Sequence, residues 1–194
     1  IYWLCAELGL SFRYGIQKSA EPLFFGQQNK EEQRAEEFWK QVRAINTQNR
    51  PVALFNPFGG ETHAKGYILL IAETGAFDDF VRFIDKVIYL VDRKGYFVVI
   101  FPNHQPWGER EVALDAIETL DHDTRQHILV APSLDIVRPK YLLKYDEIAL
   151  VVTVEGGMMH LAYAAGKPIE VIETSGSGNL SKWFPLGAGL EQAV

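Results

Sequence analysis

The residues best placed to do chemistry form one short stretch, Glu155-Gly156-Gly157-Met158-Met159-His160, set between two apolar runs. With Gly166-Lys167-Pro168 beyond it, Leu150–Ile172 reads as strand, sharp turn, helix, turn, strand. A glycine pair that opens a helix leaves backbone N–H groups without intrahelical partners. Two successive positions without Cβ let an anion, a phosphate above all, come close to those donors. His160 falls in the first turn of the helix, either as a ligand contact or as a buried imidazole bonded to backbone. Glu155 would repel a phosphate and fits better as an acceptor for sugar hydroxyls.

A second stretch has complementary chemistry. The apolar run Val52–Phe55 discharges into Asn56-Pro57-Phe58-Gly59-Gly60-Glu61-Thr62-His63-Ala64-Lys65-Gly66-Tyr67. This loop holds glycines 59 and 60, the Thr62 hydroxyl and one mobile cation, Lys65. An isolated lysine is an ordinary surface residue. At the end of the first strand, on the same rim as Gly156-Gly157, Lys65 becomes a second grip on a diphosphate. Glu109 and Glu111 open a later helix, where the dipole favours acids. Acids at such a rim can also hold a ribose hydroxyl.

No catalytic set is complete. G-x-G-x-x-G, the G-x-x-x-x-G-K-[ST] phosphate loop, the G-x-S-x-G elbow and H-E-x-x-H are all absent. The five histidines, at 63, 104, 122, 127 and 160, are scattered and Cys5 is the single cysteine, so neither a metal nor a cofactor is expected. His63 and His104 lie in rim loops.

The elements that must position these residues follow from periodicity. Glu31–Ile45 is helical, with Phe38, Val42 and Ile45 on one stripe, after a polar linker at 27–35. Phe77–Arg93 is an amphipathic helix closed by Gly95, and Glu109–Leu120, Pro139–Tyr145 and Met158–Ala165 are further helices. Strands are expected at Val52–Phe55, Tyr96–Phe101, Ile128–Val130, Ile148–Val154 and Ile169–Ile172. Short strands alternating with helices give βαβ units. Their near-continuous apolar runs imply a parallel sheet covered on both faces. The expected fold is α/β, a Rossmann-like parallel sheet with helices on both faces over roughly residues 45–175. Ligands bind at the carboxyl ends of such strands, where both glycine-rich turns fall.

Composition narrows the partners. The chain has 194 residues, 47% hydrophobic and 23% charged, as in ordinary soluble globular proteins. A net charge of −6 argues against a nucleic-acid footprint. No apolar run approaches the roughly 18 residues needed to span a bilayer. Ile1 opens the chain with neither an initiator Met nor a basic segment before an apolar core. A larger protein with a missing N-terminal domain is therefore expected, with residues 1–35 as the connecting segment and 36–194 as the Rossmann-like domain.

The run Val151-Val152-Thr153-Val154-Glu155-Gly156-Gly157-Met158-Met159-His160-Leu161-Ala162, with Gly166-Lys167-Pro168, resembles the D-T-G-x-x-H-L-A-A-A-x-G-x-P segment of family 9 glycosyltransferases. Three other stretches agree in order: Leu54-Phe55-Asn56-Pro57 through Lys65, Pro106-Trp107-Gly108 followed by acids, and Trp183-Phe184-Pro185-Leu186-Gly187. Ala6-Glu7-Leu8-Gly9-Leu10 is similar to the segment that ends the family's N-terminal domain. These bacterial heptosyltransferases of lipopolysaccharide core synthesis are two-domain enzymes of the GT-B fold.

The resemblance implies a domain that binds a nucleotide-diphosphate sugar, ADP-heptose by default, for transfer to a lipopolysaccharide or other cell-surface glycan acceptor. Lys65 and the amides of Gly156–Met158 would hold the diphosphate, Glu109 or Glu111 the ribose, and Leu134 would border the base. His160 matches the family's helix histidine. The catalytic base would lie in the missing N-terminal domain. The implied partners are nucleotide-sugar and a glycan or glycolipid acceptor, with no nucleic acid. The implied site of action is the cytoplasm, with peripheral association at the inner membrane. Where the family has Asp-Thr, this chain has Glu155-Gly156, a longer acid and one hydroxyl fewer beside the phosphate. Two other classes remain open at this point: an interaction module that keeps the fold without the chemistry, and a sugar-nucleotide epimerase-like enzyme.

Overall fold

A computed structural model of the chain describes residues 30–58, 77–102, 109–132, 137–154 and 156–172. Helix α1 (Lys30–Ile45) precedes strand β1 (Val52–Asn56). Helix α2 (Phe77–Ile88) runs on into one π turn, Tyr89–Arg93, and leads to β2 (Phe97–Ile100). Then come α3 (Glu109–Glu118), the short α4 (His122–Arg125) and β3 (Ile128–Val130). The described chain ends with α5 (Pro139–Leu142), β4 (Ile148–Val154), α6 (Gly157–Ala164) and β5 (Ile169–Ile172).

All five strands are parallel, in the order β3-β2-β1-β4-β5. The fold is the expected α/β Rossmann-like one. Each strand is an apolar run because both of its faces are covered. On one face Leu54, Phe97, Val99 and Val151 meet Trp39 and Val42 of α1, Leu142 of α5 and Met158, Met159 and Ala162 of α6. On the other, Phe55, Val98, Ile100 and Val152 meet Phe83 and Val87 of α2, the π turn and Ala113, Ala116 and Ile117 of α3.

Local chemistry fixes where the helices stop. Gly166 takes φ +69 after α6, and its N–H reaches Tyr163 O at 2.9 Å while Lys167 N–H reaches Ala162 O at 3.0 Å. This pair of closing bonds is the usual left-handed glycine termination. After α2 the closure is one residue wider, with Tyr96 N–H on Leu90 O at 3.0 Å, because the helix ends in a π turn. Arg50 steadies that turn, its Nη1 donating to Val91 O at 3.3 Å.

Two local expectations change, and one short helix is added. Ile45 is not on the buried stripe of α1 but 45% exposed, and Asn46 takes the inward position beyond Val42. Asn46 can do so because its carboxamide is satisfied on both sides, donating to Arg50 O at 2.7 Å and accepting from Arg50 N–H at 3.0 Å. Residues 30–35 are the first turns of α1 rather than linker, and Ala35 is packed in the core. Helix α4 carries too few residues to show a period, and Asp121 caps it, its carboxylate accepting from Thr124 N–H at 2.9 Å. Among the described residues no helix is long and apolar enough to cross a membrane.

Candidate functional site

In a parallel sheet with this order, β1 is the strand from which the connections run outward in both directions. The crevice at its carboxyl end, between β1 and β4, is where an open α/β sheet receives ligands. Asn56 ends β1 and pairs in register with Thr153 of β4. Both are buried polar residues among strand side chains whose other buried members are apolar. Asn56 Nδ2 donates to Phe101 O, just past β2, at 2.8 Å. Thr153 Oγ1 lies 3.0 Å from Val154 O and 3.4 Å from Asn56 Oδ1. The Asn56 side chain thus joins β1 to the end of β2 just past the last register pair of that ladder, and reaches the Thr153 hydroxyl on the β4 side.

From β4 the chain turns into α6 through Gly156, at φ +156 and ψ −161. Only glycine adopts that region readily. His160 N–H closes the first helical bond, to Gly156 O at 3.4 Å. The N–H groups of Gly157, Met158 and Met159 precede it and are left to other acceptors. Gly156 and Gly157 are exposed, and a Cβ at either would meet nothing within 4 Å. The Met158 and Met159 side chains instead anchor the turn in the core. An open helix start held on a rigid base can receive an anion.

His160 is half-buried one turn into α6, and burial pushes its imidazole below the ordinary 6.5. At neutral pH it is an uncharged donor or acceptor, not a cation. The two acids of α3 separate. Glu109 is 1% exposed, on the same sheet-facing stripe as Ala113 and Ala116, whereas Glu111 faces solvent. Because α3 follows β2, Glu109 enters from the same carboxyl edge as Gly156.

The structure therefore brings Gly156, Gly157, Met158, His160 and Glu109 to one edge of the sheet and turns Glu111 outward. Gly59, Gly60, Thr62, Lys65, Leu134 and Glu155, with His63 and His104, lie outside the described residues. Among the described residues no group of three or more His, Cys, Asp or Glu could hold a metal ion. Asn56 and Thr153 were not singled out from the sequence. A polar pair interrupting two apolar runs at strand ends is the signal that could have found them.

No family model and no curated protein matches the sequence. Solved structures do. The ADP-heptose lipopolysaccharide heptosyltransferase II of E. coli superposes with a TM-score of 0.55 at 20% identity, over 88% of this chain and 46% of that one. The family 9 glycosyl transferase of Veillonella parvula DSM 2008 gives a TM-score of 0.55 at 18% identity, over 93% of this chain and 44% of that one. The chain thus spans less than half the length of either. Its fold is a family 9 heptosyltransferase-like fold.

Proposed function

We propose that the chain is the donor-binding domain of a GT-B glycosyltransferase and that its ligand is a nucleoside-diphosphate sugar. The observation that carries this reading is the open start of α6 at the β1/β4 switch point of a glycosyltransferase fold. In this reading the N–H groups of Gly157, Met158 and Met159 meet the diphosphate, with Lys65 opposite. Glu109, on the sheet-facing stripe, holds the ribose in preference to Glu111. Leu134 borders the base and Glu155 accepts from sugar hydroxyls. The E. coli structure's name makes ADP-heptose the first donor to try, with a lipopolysaccharide or related glycan as acceptor.

Transfer breaks the bond between the sugar and the diphosphate, and negative charge builds on the leaving group. Fixed N–H donors and Lys65 stabilise that charge more in the transition state than in the ground state. The acceptor hydroxyl must give up its proton to a base, which the reading assigns to a second domain. His160, uncharged at neutral pH, contributes a hydrogen bond and no net charge.

Calorimetric titration of the chain with ADP, UDP and GDP tests the reading. One nucleoside diphosphate is expected to bind with Kd between about 1 μM and 1 mM, roughly −8 to −4 kcal/mol. Lys65→Ala is expected to weaken it about tenfold, roughly 1.4 kcal/mol. Absence of binding by all three overturns the proposal.

A further inference from the structure

We infer that Asn56 is a positioning residue for the nucleotide: a carboxamide clamp that sets the spacing of the ends of β2, β1 and β4 at the switch-point crevice. The inference rests on the donor-binding reading and adds to it the residue that fixes the geometry of its parts.

A parallel ladder bonds backbone to backbone only while neighbouring strands run side by side. Phe101 N–H still reaches Phe55 O at 2.8 Å, but the next strand position beyond β1 has no ladder donor for the Phe101 carbonyl. Phe101 is fully buried, so water is no substitute. Asn56 Nδ2 supplies the donor at 2.8 Å, across 45 residues of sequence. Its other end, Oδ1, faces the Thr153 hydroxyl at 3.4 Å, across 97 residues. By alternation, Asn56 and Thr153 fall on the face that α6 covers, with Leu54 and Val151.

The requirement is chemically narrow. One planar group must donate on the β2 side and accept on the β4 side. Leucine has the shape but neither function. Ionised aspartate accepts on both sides and would set a buried charge against a carbonyl. Protonated aspartate, by contrast, donates from one oxygen and accepts at the other, as asparagine does. Gly156–Met158 follow Thr153 within five residues, at the end of β4. A shift of a few tenths of an ångström at the clamp therefore moves the start of α6 relative to the ends of β1 and β2.

The test is nucleoside-diphosphate titration of wild type and Asn56→Asp across pH. At about pH 8 the variant is expected to bind about tenfold more weakly than wild type. At about pH 5, where a buried carboxyl takes up its proton, the two are expected to agree within about threefold. A residue that merely supports packing would show a gap that does not close with acid. Thr153→Val keeps the shape, removes the hydroxyl and is expected to weaken binding about threefold, with or without a folded aspartate variant at the higher pH. Wild type that binds none of ADP, UDP and GDP overturns the donor reading and this inference with it. Wild type that binds, with Asn56→Asp equal to it at every pH or Thr153→Val unchanged, overturns the clamp alone.

Discussion

Trp39 lies flat against Tyr145, ring centroids 4.8 Å apart and planes 4° from parallel. The stack fastens α1 to the loop before β4. Arg43 sits 5.3 Å from the Tyr145 centroid while its Nε reaches Glu147 Oε1 at 2.8 Å. Trp39 is 1% exposed, so its removal leaves a large cavity. Trp39→Ala is expected to cost about 3–5 kcal/mol in urea unfolding, and Trp39→Phe clearly less because a ring still stacks. An alanine variant within about 1 kcal/mol of wild type would mean that α1 is held by its ion pairs instead.

The two adjacent glycines should separate stability from affinity. Gly156 has a backbone that side chains rarely adopt, and Gly157 is an ordinary helical residue with open space at its Cβ. Gly156→Ala is expected to lose about 1–3 kcal/mol of stability. Gly157→Ala should leave the unfolding midpoint nearly unchanged and, on the donor-binding proposal, weaken nucleotide binding, because its methyl group would stand where that proposal puts the diphosphate. The pair of thermal melts and titrations decides; equal stability losses at both sites would contradict the assigned backbone.

Acid should weaken the fold through two histidines. Burial lowers the pKa of His160, and burial followed by the charge of Arg50 lowers that of His127, against the opposing pull of Asp92 and Asp123. Each group has its ordinary 6.5 in the unfolded chain, which therefore binds more protons just below that pH. Stability is expected to be level above 6.5, to fall as pH drops through 6.5 and to level off once the lower folded pKa values are passed. Urea midpoints against pH measure this, and His160→Gln with His127→Gln should flatten the slope in that window. A slope unchanged in the double variant would assign it to other groups.

Lys86 of α2 and Glu170 of β5 form an ion pair, their side chains 20% and 23% exposed. Lys86 also lies 5.1 Å from the ring centroid of Tyr89. Partial burial puts the pair above the usual surface value, so a Lys86→Met, Glu170→Gln double-mutant cycle is expected to give about 1 kcal/mol of coupling. Coupling near zero would make it an ordinary surface contact.

The sheet was legible because its strands are buried on both faces. Ile128–Val130, Ile148–Val154 and Ile169–Ile172 could be bounded because apolar residues dominate each run, with Thr153 and Glu170 as single interruptions. Ile45 was misplaced because a helical stripe read as apolar residues passes over a buried asparagine bonded on both sides. Helix α4 and the π turn have no period to read. At the site, glycine spacing located the start of α6, but nothing in Glu109 and Glu111 as a pair said which would face the sheet. Asn56 escaped notice because the apolar run stops at Phe55, so its carboxamide looked like the first residue of a loop.

Strand order also sets a timetable for synthesis. Asn56 and Thr153 are register partners separated by 97 residues, so β1 emerges from the ribosome long before β4 exists. At about 5–20 residues per second, the delay is on the order of 5–20 s. Throughout it one side of the central strand has no partner, and Val52-Ala53-Leu54-Phe55 presents a bare apolar edge. Until β4 arrives, such an edge is a template for pairing with another chain. Yield is therefore expected to fall when elongation slows, since slower synthesis lengthens the exposure of that edge.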